Sequence, residues 1–395
     1  MAKVRKILHF DLDAFFCAVE ELQDPSLKGK AFAVGARPEE RGVVASCSYA
    51  ARKFGVHSAM PMSQALRLCK TLIIVSRRHG VYEQTSRQVM EHLYALTPLV
   101  ERVSIDEAFL DVTGNIEPAE VLAHQLQKTI NTELGLPCSL GVATNKLVAK
   151  IANNVGKAEV RSDNPPNAIK VIPPGTEAVF LAPLPVRALW GVGPKTAERL
   201  ESLGIHTIGQ LAQQSEKDLI RRFGKHGHDL SQYARGIDPD PIETVREAKS
   251  ISKETTFSKD VDEIDVLEGT LLYLSEGVGR ELRIEGLTCR TLGLKFRYPD
   301  FTTVTRQVTL SEPTDMDHQI YDGARNLFKQ VWRSGQLVRL LGVSASKLSS
   351  GGEQLSLWDN GGEKKRKLQN AVDAIRGKFG EQSVRWGKET KRGDA

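Results

Sequence analysis

The first hydrophobic run of the chain, residues 5–13, has the β-favouring composition of a strand. Asp11 and Asp13 alternate with apolar neighbours there, so both side chains should emerge on one face near the end of the strand. Residues 14–22 are rich in helix formers and stop before an Asp-Pro pair, which ends helices. The pattern therefore predicts a strand that leads directly into a helix, with acidic side chains at the junction.

Helix-like and strand-like segments alternate up to about residue 155. Asp106 and Glu107 lie at or beside the turn of a predicted β-hairpin. The order strand, helix, hairpin, helix, strand, helix predicts an α/β sandwich close to the ferredoxin-like pattern, with a small lobe inserted after the first strand. The predicted strands are 42–46, the two arms of the hairpin 100–112, and 139–143, and the predicted helices are 49–52, 62–69, 81–96, 122–134 and 146–155.

Proline pairs at 165–166 and 173–174 mark a boundary. Beyond it, residues 175–237 have an all-helical pattern, and a second boundary at 238–241 opens a polar linker that runs to about Lys253. A second α+β domain then follows, and after residue 350 the chain becomes linker and tail. The predicted helices of this domain are 266–282 and 320–332, and its strands are 289–298, 302–310 and 337–346.

Composition narrows the class of protein. Apolar residues make up 40% of the chain and charged residues 26%, which is typical of a globular protein and excludes a disordered chain. No apolar run is long enough for a membrane span, and Asp11 and Asp13 interrupt the N-terminal run, so we expect no secretory signal peptide. The five cysteines lie far apart without a CxxC pair, which favours a reduced, cytosolic protein without a zinc site or disulfide framework.

The net charge of +5 is unevenly distributed. Residues 361–395 hold ten basic and five acidic residues, so residues 1–360 carry no net charge. If the protein binds nucleic acid, its body must therefore do so with individually positioned basic residues and not with a general positive field.

The acidic residues suggest chemistry. Asp11 ends one strand, and Asp106 and Glu107 lie on the hairpin that should pair beside it. Three converging carboxylates would repel one another unless cations neutralise them, and hard oxygen ligands suit Mg²⁺ bound together with substrate phosphates. Two such ions can clamp an in-line displacement at phosphorus. Solvated acidic residues at a turn are the alternative that spacing alone leaves open.

Three motifs follow one another along the chain, ILHFDLDAFF (7–16), YAARKFG (49–55) and SIDEAFLD (104–111). Together they resemble the signature of Y-family DNA polymerases, and the closest resemblance is to the DinB type. The resemblance extends from about residue 5 to 345 and implies an α+β multidomain protein. The implied palm is ferredoxin-like and has a small fingers lobe inserted in it. The implied thumb is helical and contains a helix-hairpin-helix, and the implied little finger is an α+β domain. The implied domains are palm 1–13 and 78–172, fingers 14–77, thumb 173–240, linker and little finger 241–346, and tail 347–395.

The resemblance also implies a catalytic metal site. Asp11, Asp106 and Glu107 match the family's catalytic, metal-binding carboxylates, and the Leu12 carbonyl would add a backbone oxygen. Two Mg²⁺ ions per active site are implied. With all three motifs present, simple solvation no longer explains these carboxylates.

Four residues match the family's substrate site. Tyr49, Arg52 and Lys157 match residues that hold the incoming triphosphate, and Arg and Lys suit phosphate oxygens chemically. Phe16 matches the steric gate, an aromatic ring that leaves no space for a ribose 2′-hydroxyl. Taken singly, Arg52 or Lys157 would fit a surface salt bridge, and Phe16 the inner face of an amphipathic helix.

Two segments are predicted to contact DNA. Gly191, Gly193 and Lys195 resemble a helix-hairpin-helix, in which backbone N–H groups at a helix start approach a phosphate. Lys295 and Arg297 share one face of a predicted little-finger strand whose other face is apolar. A turn without a ligand and a solvated sheet face are the alternatives.

The tail carries two further signals. Gln354, Leu355, Leu357 and Trp358 resemble a sliding-clamp-binding peptide, which anchors through a few buried side chains. A chance linker sequence is the alternative. Four apolar residues then recur at helical spacing beside a basic run, which predicts a helix that contacts DNA or a partner, or is a solvated accessory helix. They are Leu368, Val372, Ile375 and Phe379.

Two other functions share part of this pattern. Phe10-Asp11-Leu12-Asp13 resembles the nucleophile motif of haloacid-dehalogenase phosphatases, but the residues that follow do not fit that class. A non-catalytic DNA-binding module recruited to the clamp does not explain three retained carboxylates. We therefore expect a cytoplasmic, monomeric, template-directed DNA polymerase that binds primer–template DNA, dNTPs and a sliding clamp, and no membrane. Without a segment for a proofreading exonuclease, its fidelity should be low, which suits synthesis on damaged templates.

Overall fold

The computed structural model describes residues 4–160, 164–350, 362–380 and 383–384. The chain divides into two compact units, one formed by residues 1–38 and 42–246 and the other by residues 39–41 and 247–395. In the described residues, no helix is both long and apolar enough to cross a membrane.

Strands occur in both units. In chain order they are β1 (Ile7–Leu12), β2 (Phe32–Gly35), β3 (Val44–Cys47), β4 (Ile73–Val75), β5 (Val100–Arg102), β6 (Glu107–Asp111), β7 (Cys138–Ala143), β8 (Ile169–Val171), β9 (Ser250–Val261), β10 (Leu287–Arg297), β11 (Thr303–Thr314) and β12 (Val338–Ser350).

Helices pack around these strands. In chain order they are α1 (Phe15–Gln23), α2 (Tyr49–Arg52), α3 (Met62–Leu68), α4 (His79–Leu96), α5 (Ala119–Thr129, extended by a π-helical turn over Ile130–Leu134), α6 (Lys146–Glu159), α7 (Glu177–Leu181), α8 (Pro194–Glu201), α9 (Ile208–Ala212), α10 (Glu216–Phe223), α11 (Lys225–Ala234), α12 (Ile264–Ile284), α13 (Asp317–Val331) and α14 (Gly362–Phe379).

The first unit is built on a five-stranded sheet of order β5-β6-β1-β7-β8, in which β1 runs antiparallel to both β6 and β7. Because side chains alternate along a strand, β1 supplies two different cores. Leu8 and Phe10 pack with residues of α4 and α5, whereas Ile7 packs with residues of α6. Every second residue of β1, in the series Ile7, His9, Asp11, therefore lies on the side of the sheet that α6 covers.

A smaller sheet of order β3-β2-β4 and the helices α2 and α3 lie between β1 and α4 in the chain. The pattern predicted β3 but not β2 or β4. All four residues of β2 are buried, so the strand has no exposed side to give it the alternation that identifies a half-buried strand. Five helices, α7 to α11, follow β8, as the all-helical pattern of residues 175–237 predicts.

The second unit contains an antiparallel sheet of order β11-β10-β12-β9, against which α12 and α13 pack. The polar linker expected up to Lys253 was wrong in its last part, because β9 begins at Ser250. Only Ile251 and Phe257 are buried in this strand. It forms an edge of the sheet, so most of its side chains stay in solvent and give no apolar pattern.

The helix α14 packs against α12 and α13 through charged residues. Arg376 bonds Glu276, with Nη2 2.7 Å from Oε2, and Gln369 Nε2 donates to Asp317 Oδ2 at 2.8 Å. The helix itself was predicted, but its apolar stripe is not its packing face. Of that stripe Val372 is buried, and Leu368, Ile375 and Phe379 are exposed.

Candidate active site

The carboxylates predicted to form a site come together where the inner strand β1 ends and its neighbour β6 begins. Asp11 lies directly opposite Glu107 in the β1–β6 ladder. The Leu12 amide donates to the Asp106 carbonyl at 3.0 Å, which fixes the turn that enters β6. The Ser104 hydroxyl donates to Asp106 Oδ1 at 2.5 Å and orients that carboxylate. The register of the β1–β6 pair therefore brings together Asp11 and Glu107, which are almost a hundred positions apart in the chain.

Two lysines of α6 neutralise these acids. Lys157 Nζ lies 2.5 Å from Asp11 Oδ1 and 3.0 Å from Asp13 Oδ1, and Lys150 Nζ contacts Glu107 Oε1. Lys150 and Lys157 are seven residues apart, about two helical turns, so both face the sheet. The expected mutual repulsion is therefore relieved in this structure by lysine ammonium groups.

Burial and these partners shift the pKa values of the site. Burial raises the pKa of Asp11 in spite of Lys157. Burial alone would also raise the pKa of Glu107, but hydrogen bonds from His9 and Lys150 and the positive charge of Lys150 lower it to about 2. Burial lowers the pKa of His9, which favours a neutral imidazole.

A cavity of about 460 Å³ opens beside the acids. It collects seven of the eight residues predicted for metal and substrate binding, and Glu107 stands next to it as the strand partner of Asp11. These seven are Asp11, Leu12, Phe16, Tyr49, Arg52, Asp106 and Lys157. The structure therefore brings the predicted residues together, while their individual roles stay predictions.

The cavity is also lined by Phe16, Tyr49 and Arg52. The Phe16 ring is half-buried and stacks on Tyr82 with centroids 4.3 Å apart, whereas its neighbour Phe15 is 2% exposed and belongs to the core. The Arg52 guanidinium lies 4.4 Å from the centre of the Tyr49 ring. Burial raises the pKa of Tyr49 to about 12, so its hydroxyl stays protonated.

Some residues of the site escaped the sequence analysis. Asp13 was expected on the same strand face as Asp11, but it lies in the turn after β1, is fully buried and accepts hydrogen bonds from Ser139 Oγ and the Asn167 amide. Its role is therefore structural. His9 and Lys150 also contact Glu107. The signal for His9 was present, since it precedes Asp11 by two positions on the same strand face.

The acids fit divalent cations by their chemistry. Asp11, Asp106 and Glu107 offer hard carboxylate oxygens at one sheet edge, the donor type that Mg²⁺ prefers. In residues 4–160, 164–350 and 362–380, no three His, Cys, Asp or Glu side chains already form a metal-binding cluster. Asp11 and Glu107 bind lysine instead, so a metal ion would have to displace an ammonium group.

The predicted helix-hairpin-helix turn is exposed. Gly191 has a φ of +89°, a conformation that favours glycine, and Gly193 precedes the first turn of α8. Both glycines and Lys195 are exposed, so the backbone N–H groups at the start of α8 are accessible to a phosphate.

In the second unit, β10 alternates as predicted. Leu294 and Phe296 are buried, and Lys295 and Arg297 occupy the other face. Lys295 is not free, because its Nζ lies 2.7 Å from Glu254 Oε2 on β9, a strand that the sequence analysis missed. The predicted clamp-binding residues Gln354, Leu355, Leu357 and Trp358 lie outside the described residues.

Comparisons with known proteins agree with this geometry. Family models match three segments, the impB/mucB/samB family over residues 10–154, the IMS family HHH motif over 174–205 and the impB/mucB/samB C-terminal domain over 248–357. The chain is 41% identical to DNA polymerase IV of Desulfatibacillum aliphaticivorans over 96% of its length and 95% of that protein.

Solved structures give the same picture. A Y-family DNA polymerase chimera superposes with a TM-score of 0.77 at 26% identity, over 88% of this chain and all of that one. An insertion ternary complex of Dbh DNA polymerase superposes with a TM-score of 0.62 at 26% identity, over 86% of this chain and 98% of that one.

These matches define the class as the impB/mucB/samB type, and the resemblance seen in the motifs is confirmed. The chain belongs to the Y-family of DNA polymerases. Within that family, it is similar over nearly its whole length to proteins named DNA polymerase IV.

Proposed function

We infer that the protein is a template-directed DNA polymerase that adds dNTPs to a primer 3′-hydroxyl. One observation carries this inference: a single cavity is lined by the acids Asp11 and Asp106 and by the cations Arg52 and Lys157. A triphosphate needs both cationic side chains and metal ions, and this cavity has groups for each. The polymerase names of the relatives support the same conclusion.

We propose that Asp11, Asp106, Glu107 and the Leu12 carbonyl hold two Mg²⁺ ions. Such ions, when bound, activate the attacking oxygen and stabilise the leaving group. Lys157 would then exchange Asp11 for a phosphate oxygen, because a lysine on a flexible stem can follow whichever negative charge is nearest. The three carboxylates would act as the catalytic residues of the chain.

The remaining cavity residues would bind and select the nucleotide. Arg52 and the Tyr49 hydroxyl would donate to the triphosphate, Arg52 with two parallel hydrogen bonds. The half-buried ring of Phe16 would lie beneath the sugar and exclude a 2′-hydroxyl. Ala45 and Ser46 also line the cavity. Such small side chains would cover the new base pair lightly, which suits low-fidelity synthesis on damaged templates.

The DNA-binding regions follow from the same assignment. We propose a palm of residues 1–13 and 78–172, fingers of 14–77, a thumb of 173–240, a linker and little finger of 241–346 and a tail of 347–395. Gly191, Gly193 and Lys195 would contact one stretch of DNA backbone, and Lys295 and Arg297 another. The ternary complex among the matching structures supports binding of both DNA and nucleotide.

Three further proposals concern context. Residues 354–358 would bind a sliding clamp, which a pull-down with the Trp358→Ala variant tests. The protein would act as a monomer, which its sedimentation on and off DNA tests. Its five cysteines are buried free thiols, which supports a reducing, cytoplasmic location.

Primer extension tests the central proposal. We expect the native chain with Mg²⁺ and dNTPs to extend an undamaged primer, and Asp106→Asn to abolish extension while the protein still folds. Glu120→Gln, the same carboxylate-to-amide change on the exposed surface of α5, is the matched control and should extend normally. Folded, DNA-binding native protein without extension would favour a non-catalytic module, and equal extension by Asp106→Asn would contradict the assigned site.

A further inference from the structure

His9 is a buried imidazole beside the proposed metal-binding acids. It lies on β1 two residues before Asp11 and is 1% exposed. Its Nε2 lies 2.6 Å from Glu107 Oε1, and its Nδ1 lies 2.8 Å from Asn153 Nδ2 on α6. An edge contact with Phe109, with ring centres 4.8 Å apart, fixes the plane of the imidazole.

The hydrogen bonds identify the tautomer of His9. Asn153 Nδ2 also lies 3.1 Å from the Ser139 carbonyl oxygen, which only accepts hydrogen bonds. The atom that faces both groups must therefore be the amide nitrogen, and the His9 Nδ1 that it contacts must be an acceptor. The proton of the neutral ring is then on Nε2, where it is donated to Glu107.

We propose that Asn153 and His9 form a positioning pair that holds the Glu107 carboxylate in place with a neutral hydrogen-bond donor. The proposal rests on the proposed function, in which Glu107 binds a metal ion. It assigns roles to two residues in addition to the carboxylates themselves. Both are positioning residues, because His9 acts on Glu107 and Asn153 acts on His9.

A neutral donor has an advantage that a cation lacks. Lys150 also contacts Glu107, but its positive charge would compete with any divalent cation for the carboxylate. The N–H of neutral His9 orients Glu107 without cancelling its charge, and metal ligands are commonly oriented by such hydrogen bonds. Asn153 maintains this arrangement. Its amide nitrogen donates to the Ser139 carbonyl and to Nδ1, and it cannot accept a hydrogen bond from a protonated Nδ1.

The first test is spectroscopic and does not require activity. In the full chain, ¹H–¹⁵N correlation spectra of ¹⁵N-histidine-labelled protein should show His9 protonated at Nε2 and unprotonated at Nδ1. Asn153→Ala removes the hydrogen bond to Nδ1 and should shift the ¹⁵N resonance of that nitrogen, while Nε2, which faces Glu107, stays protonated. A native His9 protonated at Nδ1, or on both nitrogens, would overturn the proposal even if no variant folds.

The second test measures metal binding in solution. We expect His9→Leu to weaken Mn²⁺ binding, measured by the electron paramagnetic resonance signal of the free ion, by about tenfold or more. His9→Gln can donate to Glu107 and accept from Asn153, so it should restore most of the affinity. A purely structural role would not give this rescue when both variants have native melting curves.

The outcomes separate this proposal from the proposed function. Native affinity for Mn²⁺ in folded His9→Leu would overturn the positioning role alone. Failure of His9→Gln to rescue a folded protein would also count against it. A native chain that neither binds Mn²⁺ nor extends a primer would overturn the proposed function first, and the positioning role with it.

Discussion

Lysines neutralise the carboxylates of the candidate active site, whereas arginines neutralise those beneath the C-terminal helix α14. The side chains of Lys157 and Asp11 are 21% and 27% exposed. The side chains of Arg376 and Glu276 are only 6% and 3% exposed. Both clusters join distant parts of the chain, so the contrast lies in the type of cation and in its access to water.

This difference has a chemical consequence. A lysine is a point charge on a flexible stem and exchanges partners readily, whereas the planar fork of an arginine binds two groups at fixed angles. Arg283 illustrates the second case, because it donates to Asp373 through Nε and to Asp317 through Nη1. Hydrated lysine pairs suit a site that must release its acids to metal ions, and buried arginine forks suit a permanent contact.

The largest expected effect is a loss of primer-extension rate that occurs when an acid of the candidate active site is changed and does not occur when an acid of the α14 cluster is changed. Asp11→Asn removes a proposed metal ligand and should slow primer extension about 10³-fold, since metal stabilisation is worth several kcal/mol. Asp373→Asn makes the same chemical change on α14, where Asp373 accepts from Arg283, and should leave the rate on short templates unchanged. Single-turnover extension measures both. Similar losses in the two variants would remove the distinction.

For the free energy of unfolding, we expect the α14 cluster to matter more than the candidate active site. Arg376→Ala removes the guanidinium that bonds the buried Glu276 carboxylate and should lower the free energy of unfolding of the second unit by about 3 kcal/mol. Urea denaturation of the full chain, followed by the fluorescence of its tryptophans, measures this. Asp11→Asn should change unfolding by less than about 1 kcal/mol, because its pair with Lys157 is partly hydrated. An unchanged midpoint for Arg376→Ala would show that α14 contributes little.

Exchanging lysine for arginine in the candidate active site, and arginine for lysine in the α14 cluster, tests whether the type of cation matters. Lys157→Arg should hold Asp11 more firmly and slow extension by about tenfold, mainly through poorer nucleotide binding. Arg376→Lys should lose part of the stability that Arg376→Ala loses and keep its activity. Steady-state kinetics and urea denaturation measure the two effects, and a fully active Lys157→Arg protein would contradict the proposed exchange of partners.

A further expected effect is a pH dependence of stability in EDTA. Glu107 has a pKa of about 2 in the folded chain against an ordinary value of 4.5, so the folded state binds fewer protons than the unfolded state between these values. Its contribution to stability is present above 4.5 and is lost as the pH falls towards 2. The stability difference between the native chain and Glu107→Gln should therefore shrink from about pH 6 to about pH 2.5. A constant difference would contradict the shift.

The candidate site was largely predictable because it depends on local patterns. Alternation along β1 puts Asp11 at the end of a strand, and the hairpin puts Asp106 and Glu107 beside its turn. Hydrophobic periodicity reports such elements directly, because each element must bury one face. Most helices and half-buried strands, and the acids at their ends, could therefore be found from the chain alone.

Other features had no such pattern. The edge strand β9 exposes most residues, the short strand β2 buries all of them, and α14 packs through polar groups instead of its apolar stripe. Periodicity cannot reveal elements whose two faces are alike or whose buried face is charged.

The chain alone therefore specified the α+β elements, the family and the positions of the candidate metal-binding acids, because these depend on local spacing and on short motifs. It did not specify that Lys150, His9 and Asn153 would meet Glu107, or that Asp13 would turn inward while Asp11 faces the cavity. Asn153 and His9 are 144 residues apart. Such polar contacts depend on strand register and on the packing of α6 across the sheet. They cannot be found from the sequence, because a hydrogen bond between distant residues produces no repeating pattern of apolar and polar positions.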